Sequence, residues 1–367
     1  MKVALVHDYF TQTGGAERVV EVLHRMYPEA PIFTTVSFRD RLWPGLLDAD
    51  IRTSWMQRVP FVKTAYRAFF PLYPNAIESL DLREYDLVIS SSSAYAKSAV
   101  ARPDACHVCY CHTPMRFAWS YDAYVDREGF GGLVRAVLPP LIKRVRDWDL
   151  RTAPRVTQYV ANSSAVRERI RRSYGVDAQV VFPPVGVERY AVSPEQDDYY
   201  LIVARFVPYK RLDLAVEAFN RMGRRLRIIG GGPGKKALQA MAGPTIEFAG
   251  RLSDAEVAQA FARCRGLIFP GEEDFGIAPL EANASGRPVV AYAAGGALDT
   301  VVDGVSGVHF HEQTVEALCA AVERCEATTW DPAAIARHAE GFSEARFRKR
   351  FTDVVEQAMQ ARRAAAA

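Results

Sequence analysis

Short apolar runs of strand length recur along this chain, and helical stretches lie between most of them. The first series comprises Lys2–His7, Pro31–Val36, Asp86–Ser90, His107–His112, Thr157–Ala161 and Gln179–Phe182. The second comprises Tyr199–Ala204, Leu226–Ile229, Ile246–Ala249, Leu267–Pro270 and Pro288–Tyr292. Strands separated by helical crossovers pair in parallel and need cover on both faces, so the pattern predicts an α/β fold with helix-covered parallel sheets. The rhythm breaks at Phe182-Pro183-Pro184-Val185-Gly186 and again in the polar run Ser193–Asp198. We therefore expect one domain over residues 1–190, a second over 191–342 and a terminal helix over 343–367. That helix, starting near Ser343, has apolar residues at Phe347, Phe351, Val354, Val355, Ala358 and Met359, which gives it one face to bury. Ser253-Asp254-Ala255-Glu256 has the form of a capping box and marks another helix start.

With 367 residues, both domains can hold a sizeable core. A net charge of +3, with the mild excess of base in the first half, suits an anionic surface or a phosphate-bearing substrate and argues against a nucleic-acid partner. The opening segment is too soon interrupted for a signal peptide, and no apolar run approaches a membrane span. Reduced cysteines and a cytoplasmic site are the expectation.

Ligands of open parallel sheets bind beyond the carboxyl ends of the strands. Arg205 and Lys210 follow the strand Tyr199–Ala204, and Glu273-Asp274-Phe275-Gly276-Ile277-Ala278-Pro279-Leu280-Glu281 follows Leu267–Pro270. Two cations and a helix start suit a diphosphate, and carboxylates suit the hydroxyls of a sugar and a ribose. The same charges could instead be the surface of an ordinary strand–helix loop. Gly14-Gly15 closes the first strand and can admit an anion, or simply make a tight turn. His112 ends its strand, placed either to line a cleft or to serve as a structural histidine.

Other features carry less. In Cys106-His107-Val108-Cys109-Tyr110-Cys111-His112 neighbouring side chains alternate faces, so a metal cluster is not expected. Asp147-Trp148-Asp149 lies in a helical pattern with Leu141, Val145 and Trp148 as its stripe, and reads as a solvated face. Gly230-Gly231-Gly232-Pro233-Gly234-Lys235 fits neither the P-loop nor the dinucleotide register. Phe61–Phe70, with Lys63 and Arg67 inside it, reads as a short basic, aromatic helix that lies on an anionic membrane or packs on the core. Arg135, Lys143, Arg144 and Arg146 would extend its basic surface.

With these residues in hand, the chain resembles the retaining glycosyltransferases of family 4, whose GT-B architecture sets two Rossmann-like parallel-sheet domains about a central cleft. The likeness rests on Ala204-Arg205, Pro208-Tyr209-Lys210-Arg211, the pair Glu273 and Glu281, and Gly286-Arg287-Pro288 with Gly295-Gly296. His7-Asp8-Tyr9, Gly14-Gly15-Ala16-Glu17-Arg18 and Tyr110-Cys111-His112-Thr113-Pro114 look like bacterial mannosyltransferases of O-antigen and exopolysaccharide assembly. The resemblance implies that Arg205 and Lys210 bind the donor diphosphate. Glu273 would contact sugar hydroxyls, aided by amides at Phe275, Gly276 and Ile277. Glu281 would bind the ribose, and Arg251 and Leu252 would lie near the base. His112 would sit beside the sugar, with Gly14 and Gly15 near the phosphates. It also implies a nucleotide-sugar donor, GDP-mannose foremost, a lipid-linked saccharide acceptor, and no metal or other cofactor. UDP- or dTDP-sugar donors, a dinucleotide-dependent oxidoreductase and a non-catalytic nucleotide-sugar binder are the competing readings. The missing dinucleotide fingerprint argues against the oxidoreductase.

Overall fold

The computed structural model describes residues 1–119 and 132–366. The chain divides into two compact units, Met1–Pro183 with Arg348–Ala367, and Pro184–Phe347.

The first unit is built on a seven-stranded parallel sheet. Its strands are β1 (Val3–His7), β2 (Ile32–Thr34), β3 (Ile51–Thr53), β4 (Leu87–Ser92), β5 (Cys106–Cys111), β6 (Gln158–Ala161) and β7 (Gln179–Val180), in the spatial order β3-β2-β1-β4-β5-β6-β7. Every residue of β4 and β5 is buried, as expected of central strands covered on both faces. Their register pairs Ser90 with Cys109 and Ser92 with Cys111. The second unit holds a six-stranded parallel sheet of β8 (Tyr200–Arg205), β9 (Leu226–Gly231), β10 (Ile246–Gly250), β11 (Leu267–Phe269), β12 (Val289–Tyr292) and β13 (Gly307–Phe310), ordered β10-β9-β8-β11-β12-β13. In both sheets the first strand of the series lies in the middle. The chain winds out to one side, then returns to the other, between β1 and β4 and between β8 and β11. The carboxyl ends of these strand pairs are where a doubly wound sheet offers its crevice.

Two short strands escaped the sequence reading. β3 is a three-residue edge strand with two exposed residues, too short for a period to register. β13, Gly-Val-His-Phe, lacks a run of strand formers.

The helix Asp254–Arg263 starts on the expected capping box, with Ser253 and Glu256 exchanging hydrogen bonds. The terminal helix Glu344–Ala366 buries Phe347, Phe351, Val354, Val355 and Ala358.

Two expectations need correction. In the helix Gly132–Thr152 the buried stripe is Ile142, Val145, Trp148 and Asp149, while Leu141 is exposed. Positions 142, 145 and 149 share one helix face, so Asp149 points inward and only Asp147 is solvated. The Asp149 carboxylate meets the buried Lys97 ammonium at 3.0 Å and accepts from Trp119 Nε1 at 2.7 Å and the Tyr174 hydroxyl at 2.9 Å. Such a pair is tolerable in a core because the ammonium also donates to the Asp149 carbonyl and the Thr152 hydroxyl, and Oδ2 accepts two bonds, which leaves Oδ1 to the ion pair. Second, Phe61–Phe70 is not one helix. A single turn, Val62–Ala65, is separated from the 3₁₀ turn Phe70–Leu72, and Phe61 caps it with a left-handed φ of 62°. Val62 is buried and Phe69 and Phe70 lean on the core, whereas Phe61 is 81% exposed and Trp55 43%. The proposed basic extension is mixed: Lys143 and Arg144 are exposed, the Arg146 guanidinium lies 4.6 Å from the Trp119 ring centroid, and the Arg135 side chain lies outside the described residues.

Candidate functional site

At the carboxyl edge of the second sheet, β8 ends in the exposed Arg205. The 3₁₀ turn Pro208–Lys210 follows and aims Lys210 at Glu273, with which it forms a close ion pair; the two side chains are 15% and 19% exposed. The Lys210 ammonium also lies 5.5 Å from the Tyr209 ring centroid and 6.0 Å from that of Phe269, within cation–π range. The Gly296 amide donates to the Glu273 carbonyl at 2.8 Å and so fixes the backbone that carries this carboxylate.

Beyond Glu273 the chain turns at Gly276, whose φ is 84°; a Cβ here would lie 2.7 Å from the Phe269 ring. The helix Ala278–Ala284 then begins, with Ile277 at its N-cap offering no side-chain cap. Phe275 is buried. One turn into the helix, Glu281 accepts from the Tyr190 hydroxyl. Burial first, and the Glu281 carboxylate second, push the Tyr190 phenol well above its usual range, so it keeps the hydrogen that it donates to that carboxylate. Arg251 is exposed and Leu252 half-buried, in the loop between β10 and the capping box.

The glycine run at the end of β9 finds its reason here. A Cβ on Gly230 would lie 1.9 Å from the Ala204 carbonyl oxygen, and one on Gly232 2.8 Å from the Phe206 amide nitrogen. These glycines let β9 press against the backbone that presents Arg205, which no nucleotide motif would have indicated.

The corresponding edge of the first sheet has a different character. Gly14 caps the helix Gly15–Met26 and its carbonyl accepts from Trp43 Nε1 at 3.2 Å. His112 follows β5 directly; its amide donates to the Ser92 carbonyl at 2.8 Å, and its Nε2 lies 2.8 Å from Ser91 Oγ. Around these the structure gathers His7, Asp8 and Glu17, which entered the sequence reading through the resemblance but with no role of their own. Asp8, 2% exposed, accepts from the amides of Ser93, Ala94, Tyr95 and Ala96 at 2.6–3.0 Å. His7 and Glu17, each 2% exposed, face each other at 3.9 Å. For His7, burial alone would lower the pKa, but Glu17, Asp8 and the Ser91 carbonyl outweigh it and the net shift is upward. For Glu17, burial alone would raise it, but His7, its own amide and His112 outweigh that and the net shift is downward. The available signal was the placement of His7-Asp8 at a strand's carboxyl end and of Glu17 in the first turn of the next helix.

Known proteins share this architecture and sequence. Residues 13–189 match the Glycosyltransferase Family 4 model, and residues 189–340 match the model for Glycosyl transferases group 1. The chain belongs to the family 4 glycosyltransferases. Among relatives of this glycosyltransferase, a GDP-mannose-dependent alpha-(1-6)-phosphatidylinositol monomannoside mannosyltransferase of Mycolicibacterium smegmatis is 32% identical over 44% of the chain and 50% of its own length. An alpha-1,3/1,6-mannosyltransferase of Kluyveromyces lactis is 25% identical over 82% of the chain and 71% of its own length. The match thus spans about half of the first relative. Among solved structures, Anabaena HepE in complex with UDP superposes with a TM-score of 0.71 at 18% identity, covering 97% of this chain and all of that one. At that identity the likeness speaks for the GT-B fold.

Proposed function

We propose that this glycosyltransferase moves a hexose, mannose from GDP-mannose foremost, to a lipid-linked saccharide in the assembly of a bacterial surface polysaccharide, with retention at the anomeric carbon. The observation that carries the reading is the Lys210–Glu273 pair at the switch point between β8 and β11, with Arg205 exposed beside it. A cation held by a neighbouring carboxylate and flanked by two aromatic rings, at the crevice of a doubly wound sheet, is ready to accept a diphosphate in exchange. The names of the mannosyltransferase relatives support GDP-mannose. The UDP complex of the structural neighbour keeps a UDP-sugar donor as the second reading.

In this mechanism Arg205 and Lys210 neutralise the diphosphate as the glycosidic bond breaks. Glu273, released from Lys210, binds sugar hydroxyls together with the amides of Phe275, Gly276 and Ile277. Glu281 exchanges the Tyr190 hydroxyl for those of the ribose, and Arg251 and Leu252 border the base. For the first unit, the resemblance assigns His112 to the transferred sugar and the Gly14–Gly15 turn to the phosphates. The departing phosphate takes the acceptor's proton on the face that it leaves. The cations supply the charge stabilisation that a divalent metal would otherwise provide, so the reaction is proposed to need none.

No helix among the described residues is long and apolar enough to cross a membrane. The lipid-linked acceptor would be met at the inner membrane face, a reading supported by the exposed Phe61 and Trp55 and by Lys143 and Arg144.

The test is release of nucleoside diphosphate from GDP-mannose and from a panel of UDP- and dTDP-sugars, in EDTA, with and without a membrane lipid extract. Extract-stimulated release from GDP-mannose is expected. Release from a UDP-sugar alone would move the assignment to the second reading, and tight binding without release from any donor would leave a non-catalytic binder.

A further inference from the structure

Five groups at the carboxyl edge of the first sheet form a chain of contacts, and three of them, Glu17, His7 and Ser91, have no part in the mechanism above. A Cβ on Gly14 would lie 2.9 Å from Glu17 Oε2, so the carboxylate is packed directly beneath the Gly14–Gly15 turn. Glu17 Oε1 faces His7 Nε2 at 3.9 Å. His7 Nδ1 lies 3.1 Å from the Ser91 carbonyl oxygen, and Ser91 Oγ lies 2.8 Å from His112 Nε2. Glu17 Oε2 is buried and has no hydrogen-bond partner among the described residues.

The chemistry of this chain fixes its charge. A carbonyl can only accept, so His7 Nδ1 must carry a hydrogen. The neutral tautomer would then turn a lone pair of Nε2 toward the Glu17 carboxylate. With Glu17 ionised, as its lowered pKa implies, only the imidazolium, with a hydrogen on each nitrogen, suits both neighbours. The charged groups facing His7 are Glu17 from the helix and Asp8 from its own strand, and Asp8 is already committed to four backbone amides. Glu17 is therefore the free counter-charge, and it is also the group that touches the glycine turn and lies within electrostatic reach of His112.

We infer that Glu17 is a positioning residue: paired with His7, its buried carboxylate locks the Gly14–Gly15 turn, Ser91 and His112 into one arrangement and thereby sets how His112 is presented to the transferred sugar. The inference rests on the sugar-transfer reading for its consequence but not for its geometry. Within the pH range where both partners are charged the lock holds. It loosens as pH rises and His7 loses its proton, and as pH falls and Glu17 gains one.

The experiment compares the full chain with Glu17→Gln, His7→Gln and the double variant. With a donor that turns over, Glu17→Gln is expected to lower kcat about tenfold or more while donor KM stays within about twofold, because the loss is in orientation rather than in binding. The alkaline limb of its kcat profile should move to lower pH, and the double variant should be no worse than either single one. Independently of turnover, NMR titration of the histidine rings in the donor-free protein should show the His7 midpoint falling and the His112 resonances shifting in Glu17→Gln. His7→Gln should shift the same His112 resonances, which keeps the inference testable if Glu17→Gln fails to fold. If no donor turns over, the transfer reading fails and the NMR arm still decides the coupling. The inference is overturned if Glu17→Gln lowers only the melting temperature, with the pH profile and both imidazole titrations as in the parent, or if the two substitutions add.

Discussion

The two sheets offer their carboxyl edges in the same topological setting, yet they treat charge in opposite ways. In the first unit Asp8, His7 and Glu17 are each 2% exposed and are matched by backbone amides, a carbonyl and one another. In the second unit Arg205 is exposed and Lys210 and Glu273 remain in partial contact with solvent. A buried charge is costly unless the protein itself answers it, so such pairing holds the local geometry in place. A half-exposed charge costs little to keep and can exchange its partner. On the proposed reading, the buried charges of the first edge hold its shape while the more exposed ones of the second exchange partners, and substitutions should separate along that line.

The largest effect is expected at Asp8. Asp8→Asn turns an amide toward backbone donors that need an acceptor, and should cost about 3 kcal/mol or more of stability, read by urea unfolding. A loss below about 1 kcal/mol would show that the first edge is not held by its buried charge.

Nearly as large is an acid dependence that His107 gives to the first unit. Burial, reinforced by the Lys97 ammonium, pushes the His107 imidazole down to about 4. Below its ordinary value near 6.5 the unfolded chain takes up a proton that the folded one refuses, so stability rises with pH between about 4 and 6.5 and falls on acidification, by on the order of 3 kcal/mol. His107→Gln keeps a partner for Ser90 Oγ, which now lies 2.8 Å from His107 Nε2, and should flatten that slope. An unchanged slope would assign acid sensitivity elsewhere.

At the second edge the signs reverse. Lys210→Ala and Glu273→Ala should each remove at least ~2 kcal/mol of transition-state stabilisation, measured as kcat/KM, with stability changed by ~1 kcal/mol or less. Near-parental turnover in either would show that the site is misplaced. Arg205→Ala should raise donor KM with stability within about 0.5 kcal/mol of the parent. The smallest effect concerns the surface: Phe61→Ser should weaken sedimentation with anionic vesicles about twofold to fivefold with no loss of stability, since Phe61 is 81% exposed. Vesicle binding equal to that of the parent would remove Phe61 from any membrane contact.

Much of this was legible in the residues. Eleven of the thirteen strands among the described residues announced themselves as apolar runs because a parallel strand covered on both faces needs apolar side chains on both. The capping box at Ser253 and the buried face of the last helix were equally plain. Arg205, Lys210 and Glu273 could be proposed as neighbours because strand ends in an α/β sheet share one edge. Reading failed where the partner lay far away in sequence. Asp149 looked solvated until Lys97, Trp119 and Tyr174 closed around it, and Phe61–Phe70 looked like one amphipathic helix until the left-handed Phe61 and the turn at Phe70 divided it.

The sequence by itself determined two doubly wound parallel sheets and which loops carry their chemistry, because periodicity and strand ends are local properties of the chain. Only the tertiary structure decided which charges face solvent and which face each other. Asp8 lies 85 to 88 residues from the amides it accepts, and Glu273 lies far along the chain from Lys210. Burial and pairing are set by what the fold packs around a side chain, and no local pattern records that.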